Sequence, residues 1–118
     1  MSKLGFIFNS APHGSSSGRE GLDALLAASA YTDNIRVLFV NDGVYQLLSK
    51  QQPELIQSRD YISTFKMLGL YEVDDIYACK ASLMARQIDE KQLIIEANSV
   101  SAIEIQQLID ECDNVLVF

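Results

Sequence analysis

Three places in this sequence carry residue types that can do chemistry. The first is Cys79, followed directly by Lys80. A thiol at the end of a strand, with a helix opening at the next residue and an ammonium beside it, has its thiolate favoured by both charges, and the thiolate is the nucleophile. Cys79 is therefore a candidate nucleophile or sulfur carrier; the competing reading is a small hydrophobe buried like most free cysteines. The second is His13, the only histidine. It titrates near neutrality and can act as general base or thiolate partner, or it braces its own loop. With no second histidine and no clustered carboxylates, no metal site is expected. The third is the loop Ser10-Ala11-Pro12-His13-Gly14-Ser15-Ser16-Ser17-Gly18-Arg19, whose small residues can wrap an anion with backbone amides at a helix start. Gly14 and Gly18 stand too close for the Walker spacing, no Lys-Ser/Thr follows, and the dinucleotide fingerprint is absent. A phosphate or flavin cradle and a plain polar connection are the two readings of this loop, and no cofactor is called for.

These residues have to be positioned by the elements around them. Leu4 to Asn9 is a short run of low polarity that reads as a buried strand. Leu22, Leu25, Leu26 and Ser29 then fall at i, i+3, i+4 and i+7, one face of a helix, and Ser17 with Glu20 has capping-box spacing at its start. Ile35 to Val40 is a second strand, closed by the turn residues Asn41-Asp42-Gly43. Val44, Leu47 and Leu48 make one apolar helical turn. Pro53 suits the first position of a further helix, with Leu55, Ile62, Phe65 and Leu68 along one side and Gly69 as its stop. Asp75 to Cys79 is a third strand, Lys80 to Arg86 a short helix, and Leu93 to Glu96 a fourth strand. Ser101 and Glu104 repeat the capping-box spacing. Ile105, Leu108, Ile109 and Cys112 repeat the helical stripe, with Cys112 as core filler, and Val115 to Phe118 is a fifth strand.

Strands without polar alternation, separated by helices, need both sheet faces covered, and right-handed crossovers then give an α/β three-layer sandwich on a mainly parallel five-stranded sheet. The expectation is a single domain over residues 1–118. In such a sheet, ligands gather beyond the C-terminal strand ends, where both Cys79 and the Ser10–Gly18 loop would lie.

Composition excludes several classes of function. Of the 118 residues, 48% belong to the AVILMFWYC set, enough for a buried core. Nine Lys and Arg against sixteen Asp and Glu leave a formal charge of −7, the wrong sign for a surface that neutralises phosphates, so no direct nucleic-acid binding is expected. The apolar runs are strand-sized and no secretory signal is visible, so neither membrane insertion nor export is expected. Two cysteines fit the reducing cytoplasm. The acidic groups Glu72-Asp74-Asp75 and Asp110-Glu111-Asp113 read as a solvated face. The tyrosines at 31, 45, 61, 71 and 77 are either interface anchors or core rings with exposed hydroxyls.

Ala11-Pro12-His13-Gly14 and the block Gly18-Arg19-Glu20-Gly21-Leu22-Asp23-Ala24-Leu25-Leu26-Ala27 closely resemble the TusC/DsrF family of sulfur-relay subunits. Asp42-Gly43-Val44, Gln46-Leu47-Leu48, Arg59-Asp60-Tyr61-Ile62, Phe65 to Tyr71, Cys79 to Arg86 and Asn114-Val115-Leu116 extend the match along the whole chain. The resemblance implies a DsrE/DsrF-like α/β fold and assembly with TusB-like and TusD-like partners as a dimer of heterotrimers. It implies a relay of persulfide sulfur from a TusA-like donor to a TusE-like acceptor, ending in 2-thiouridine at the tRNA wobble position. The carrier cysteine of such complexes belongs to the TusD-like partner, so the resemblance makes this chain an accessory subunit. The alternatives that the residues themselves leave open are a sulfurtransferase loaded on Cys79 and a small anion- or nucleotide-binding module.

Overall fold

The computed structural model describes residues 3–10, 17–47, 75–89, 91, 93 and 97–118. Five strands, β1 (Leu4–Phe8), β2 (Ile35–Phe39), β3 (Ile76–Cys79), β4 (Asn98–Val100) and β5 (Asn114–Val117), form one sheet in the order β4-β3-β2-β1-β5. Every pairing is parallel, with Leu4 opposite Ile35 and Asn114, Val37 opposite Ile76, and Tyr77 opposite Asn98. Among the described residues three helices join them, α1 (Ser17–Ser29), α2 (Lys80–Ala85) and α3 (Ala102–Asp110), with a 3-10 segment over Asn41–Leu47.

The sheet is a middle layer because its central strands are apolar on both sides. All of β2 is buried, as is β1 beyond Leu4. On one face, Phe6, Phe8, Val37, Phe39, Ile76 and Ala78 pack against Leu22 and Leu25 of α1, Val44 and Leu47 of the 3-10 segment, and Leu83 of α2. Stacking of Phe8 on Phe39 at 5.2 Å and on Phe118 at 5.9 Å binds three strands together on this side. On the other face, Ile7, Leu38 and Cys79 pack under Ile105 of α3, with Leu108 and Ile109 half-buried beside it. Each fully buried Leu or Phe contributes about 1.5–3 kcal/mol by leaving water.

Close approach between layers fixes two glycines. A methyl at Gly21 would lie 2.6 Å from the rings of both Phe8 and Phe118, so α1 sits nearer the sheet than a side chain there allows. A methyl at Gly43 would lie 1.7 Å from the Phe8 carbonyl oxygen, so the 3-10 segment leaves β2 directly across the end of β1. Asn41 makes that departure possible: its φ of 51° is in the left-handed region that Asn tolerates better than most residues.

Several expected elements are shifted. The fourth strand is Asn98–Val100, not Leu93 to Glu96; Leu93 makes an isolated bridge, and residues 94–96 lie outside the described set. A strand at the sheet edge is half exposed and needs no apolar run, so the polar Asn-Ser-Val gave no hydrophobic signal. α1 begins at Ser17 itself, one residue ahead of the start set by the capping-box spacing. The apolar turn at Val44 and Leu47 is 3-10 rather than α, and Leu48 and the helix placed between Pro53 and Gly69 lie outside the described residues. At the other edge β5 is exposed along its whole length, so coverage of both sheet faces stops short of this strand. The Ser101–Glu104 capping box forms as the spacing required.

Candidate functional site

The two ends of the sheet carry different chemistry. At the C-terminal ends of the strands, where ligands gather in such folds, hydrogen bonds and one ion pair tie the crossovers together. Asn41 donates its backbone N–H to the Ser82 hydroxyl at 2.9 Å and its side-chain amide to Asn9 Oδ1 at 2.7 Å. Gln46, fully buried, donates from Nε2 to the Ser10 carbonyl at 3.1 Å, while its Oε1 has no protein partner. Arg86 closes the group, donating from Nη2 to Asp42 Oδ1 at 2.9 Å and from Nη1 to the Ser82 carbonyl at 3.1 Å, with its guanidinium 6.0 Å over the Tyr45 ring. The segments after β1, β2 and β3 are thereby held as one unit.

Cys79 lies at this end, as its strand-final position required, at the last residue of β3 opposite Val100 of β4. The crossover after β3 leaves on the α1–α2 face and the one after β4 on the α3 face, so Cys79 is next to a topological switch point. Cys79, however, is only 6% exposed and packs with Ile7, Leu38 and Ile105. Lys80, the intended positive neighbour, is exposed. The helix behind them is six residues long. Residues 11–16 of the loop, His13 among them, lie outside the described residues; Gln46 is joined to Ser10 and Asn41 to Asn9, whereas Cys79 packs separately on the α3 face. Among the described residues no group of His, Cys, Asp and Glu could hold a metal ion. None of their helices is long and apolar enough to cross a membrane.

The opposite end carries a charge cluster built on a buried arginine. Arg36, the second residue of an otherwise apolar strand, donates from Nε to Asp75 Oδ2 at 3.0 Å. Its Nη1 donates to Glu111 Oε1 at 2.7 Å and to the Leu108 carbonyl at 2.9 Å. Lys3 Nζ reaches the same Asp75 oxygen at 3.3 Å, and the Arg36 guanidinium lies 5.6 Å over the Tyr77 ring. Asp75 is thus a partly buried ion-pair partner, while Glu111 pairs with Arg36 from an exposed position on the solvated face it shares with Asp110 and Asp113. Burial alone would raise the Asp75 pKa, but hydrogen bonds from Tyr77 and Arg36, the Arg36 charge and Lys3 outweigh it and hold the carboxyl below its ordinary range. Burial also works against the Arg36 cation, and the same carboxylates overcome it and push its pKa up. Cys112, half-buried with Sγ donating to the Leu108 carbonyl at 3.5 Å, has its thiol pushed up, chiefly by burial.

Sequence reasoning missed the polar group at the C-terminal edge and the cluster around Arg36. A charged residue inside an apolar strand run was the one available sign of the latter. Tyr77 joins that cluster, whereas Tyr31 stands almost fully exposed.

The DsrE/DsrF-like family matches residues 2–118. The chain is 52% identical over 118 residues to the protein TusC homolog of Aliivibrio fischeri and 46% identical over 119 residues to protein TusC of Escherichia coli, covering 100% of each in both directions. Its structure matches the crystal structure of the ychN protein from E. coli with a TM-score of 0.84 at 26% identity, over 100% of both chains. The chain belongs to the DsrE/DsrF-like family and, within it, to the TusC proteins.

Proposed function

We propose that this chain is an accessory subunit of a cytoplasmic TusBCD-type sulfur-relay complex. It assembles with TusB-like and TusD-like subunits as a dimer of heterotrimers. The complex passes persulfide sulfur from a TusA-like donor to a TusE-like acceptor for 2-thiolation of the tRNA wobble uridine. In each hand-over the acceptor thiolate attacks the outer sulfur, a new S–S bond forms as the old one breaks, and the donor leaves as a thiolate, so no outside oxidant is needed. The observation that carries the accessory role is the burial of Cys79: a relay thiol must meet another protein's sulfur, and a thiol packed among Ile7, Leu38 and Ile105 is shielded from that encounter.

The location of Cys79 beside the switch point favours a second reading, a sulfurtransferase with persulfide on Cys79 itself. One experiment separates the two. In the assembled complex, Cys79→Ser leaves the relay rate within about twofold of wild type if the chain is accessory, because truncating a side chain that never meets the reacting sulfurs leaves the barrier unchanged. Loss of relay, together with a mass gain of about 32 Da on Cys79 after loading, the mass of one added sulfur, establishes the carrier role instead.

A further inference from the structure

The sheet ends on one side in a strand that the fold leaves unfinished. Val115 is 37% exposed, Leu116 45% and Val117 60%, three consecutive large apolar residues among the few that reach solvent anywhere in the described chain. Their directions follow from the ladder. Phe118 donates its N–H to Ile7 and accepts from the N–H of Asn9, and Asn114 donates to Lys3, so residues 114, 116 and 118 use their backbone groups on β1. By the alternation of a strand, Val115 and Val117 turn their N–H and C=O groups outward, away from β1. Their side chains share the face of Gly5 and Ile7, the α3 face, and Leu116 shares the face of Phe6. Edge strands are ordinarily blunted by Lys, Pro or a bulge, and β5 has none of these.

A covering element must pair with Val115 and Val117 along the edge and continue both apolar layers, which an added strand does and a helix does not. The charge at the start of β5 narrows its origin. Asp113, exposed just before β5, accepts the neutral backbone N–H of Lys3 at 2.6 Å, whereas Lys3 Nζ and Arg36 are engaged by Asp75 and Glu111, so among the described residues the start of β5 carries a negative charge with no cation against it. A second copy brings another net −7. We infer that β5 is a docking edge for a β-strand of a different protein, apolar at alternate positions and with Lys or Arg at the end lying beside Asp113. The inference rests on the assembly reading above and names the surface through which one partner subunit joins.

The test is hydrogen exchange read at single amides, on this chain free and co-purified with its TusB-like and TusD-like subunits. The Val115 and Val117 amides should gain about 100-fold protection in the complex, whereas Leu116, already bonded to β1, changes little. Val117→Lys, at a side chain already in solvent, should keep the free chain folded by circular dichroism and weaken assembly at least about tenfold. Affinity should fall as salt is raised. A complex that forms with both valine amides exchanging as in the free chain overturns the docking edge and leaves the assembly reading standing. Failure of the wild-type chain to assemble at all overturns the assembly reading, and the docking edge with it. Concentration-dependent self-association that protects Val115 and Val117 makes the occupant a second copy, and a salt-independent affinity removes the basic partner strand; either result overturns the inference as stated.

Discussion

The cluster around Arg36 makes a quantitative claim about stability and pH. Asp75→Asn keeps the shape of the side chain and removes its charge. In the wild type, Asp75 accepts hydrogen bonds from Arg36 at 3.0 Å and Lys3 at 3.3 Å as well as from Tyr77. A hydrogen bond to a charged partner contributes about 1.5–3 kcal/mol when sheltered, and the partly exposed Lys3 pair adds well under about 1 kcal/mol. The amide retains some of the bonding, and Arg36 keeps Glu111 and the Leu108 carbonyl. Asp75→Asn should therefore lower unfolding free energy at pH 7 by about 2 kcal/mol, measured by urea denaturation. The sign of the pH dependence is fixed by the direction of the shift. The Asp75 carboxyl is held below its ordinary range in the folded chain. Its contribution is thus fully present above the ordinary aspartate value and lost as pH falls through the folded one. The gap between variant and wild type should narrow with acidification and close once Asp75 is protonated in both states. A gap below about 0.5 kcal/mol at pH 7, the usual range of a neutral surface change, or one that does not vary with pH, refutes the account of Arg36 as a charge held by Asp75.

Three further outcomes follow from single contacts. Gly43→Ala should destabilise by more than about 4 kcal/mol or prevent folding, because its methyl meets the Phe8 carbonyl at 1.7 Å; urea denaturation of the purified variant, or its absence from the soluble fraction, is the readout. Ser101→Ala removes a capping box whose hydroxyl accepts from the Glu104 amide at 3.2 Å, and should cost about 1 kcal/mol by the same assay. Thiol alkylation of the native chain should modify Cys112 before Cys79, and only as pH rises above the ordinary thiol range, since burial pushes the Cys112 pKa up; Cys79 should react about 100-fold faster once urea opens the α3 face.

The fold was legible wherever local pattern decides it. The strand at Leu4–Phe8, the stripe of Leu22 and Leu25, the apolar run at Ile35–Phe39 and the Ser101 box each contain their own signal within a few residues. What escaped depends on residues far apart in sequence. Asp42 and Arg86 are 44 positions apart, and Arg36 and Glu111 are 75, so no spacing rule connects either pair. β4 was misplaced for a related reason: an edge strand takes its identity from the neighbour it pairs with, here Tyr77 to Cys79, and not from its own hydrophobicity. The position of Cys79 at a strand end was readable from Asp75 to Cys79 and the helix after it, but its burial was not, because Ile7, Leu38 and Ile105 come from three other elements.

The two ends of the sheet together explain why the exposed chemistry of this chain lies at its edge. At the C-terminal ends, Asn9, Asn41, Ser82, Asp42 and Arg86 spend their hydrogen bonds on one another, and the one thiol there is turned into the core. At the N-terminal ends, Arg36 and Lys3 are engaged by carboxylates, so neither is offered to a ligand. β5 differs from both. Its backbone groups at Val115 and Val117 and its apolar side chains gain free energy only if another surface covers them. Among the described residues the polar groups at the two sheet ends are largely engaged with one another, Gln46 Oε1 apart, and the β5 edge is the surface that a covering strand would complete.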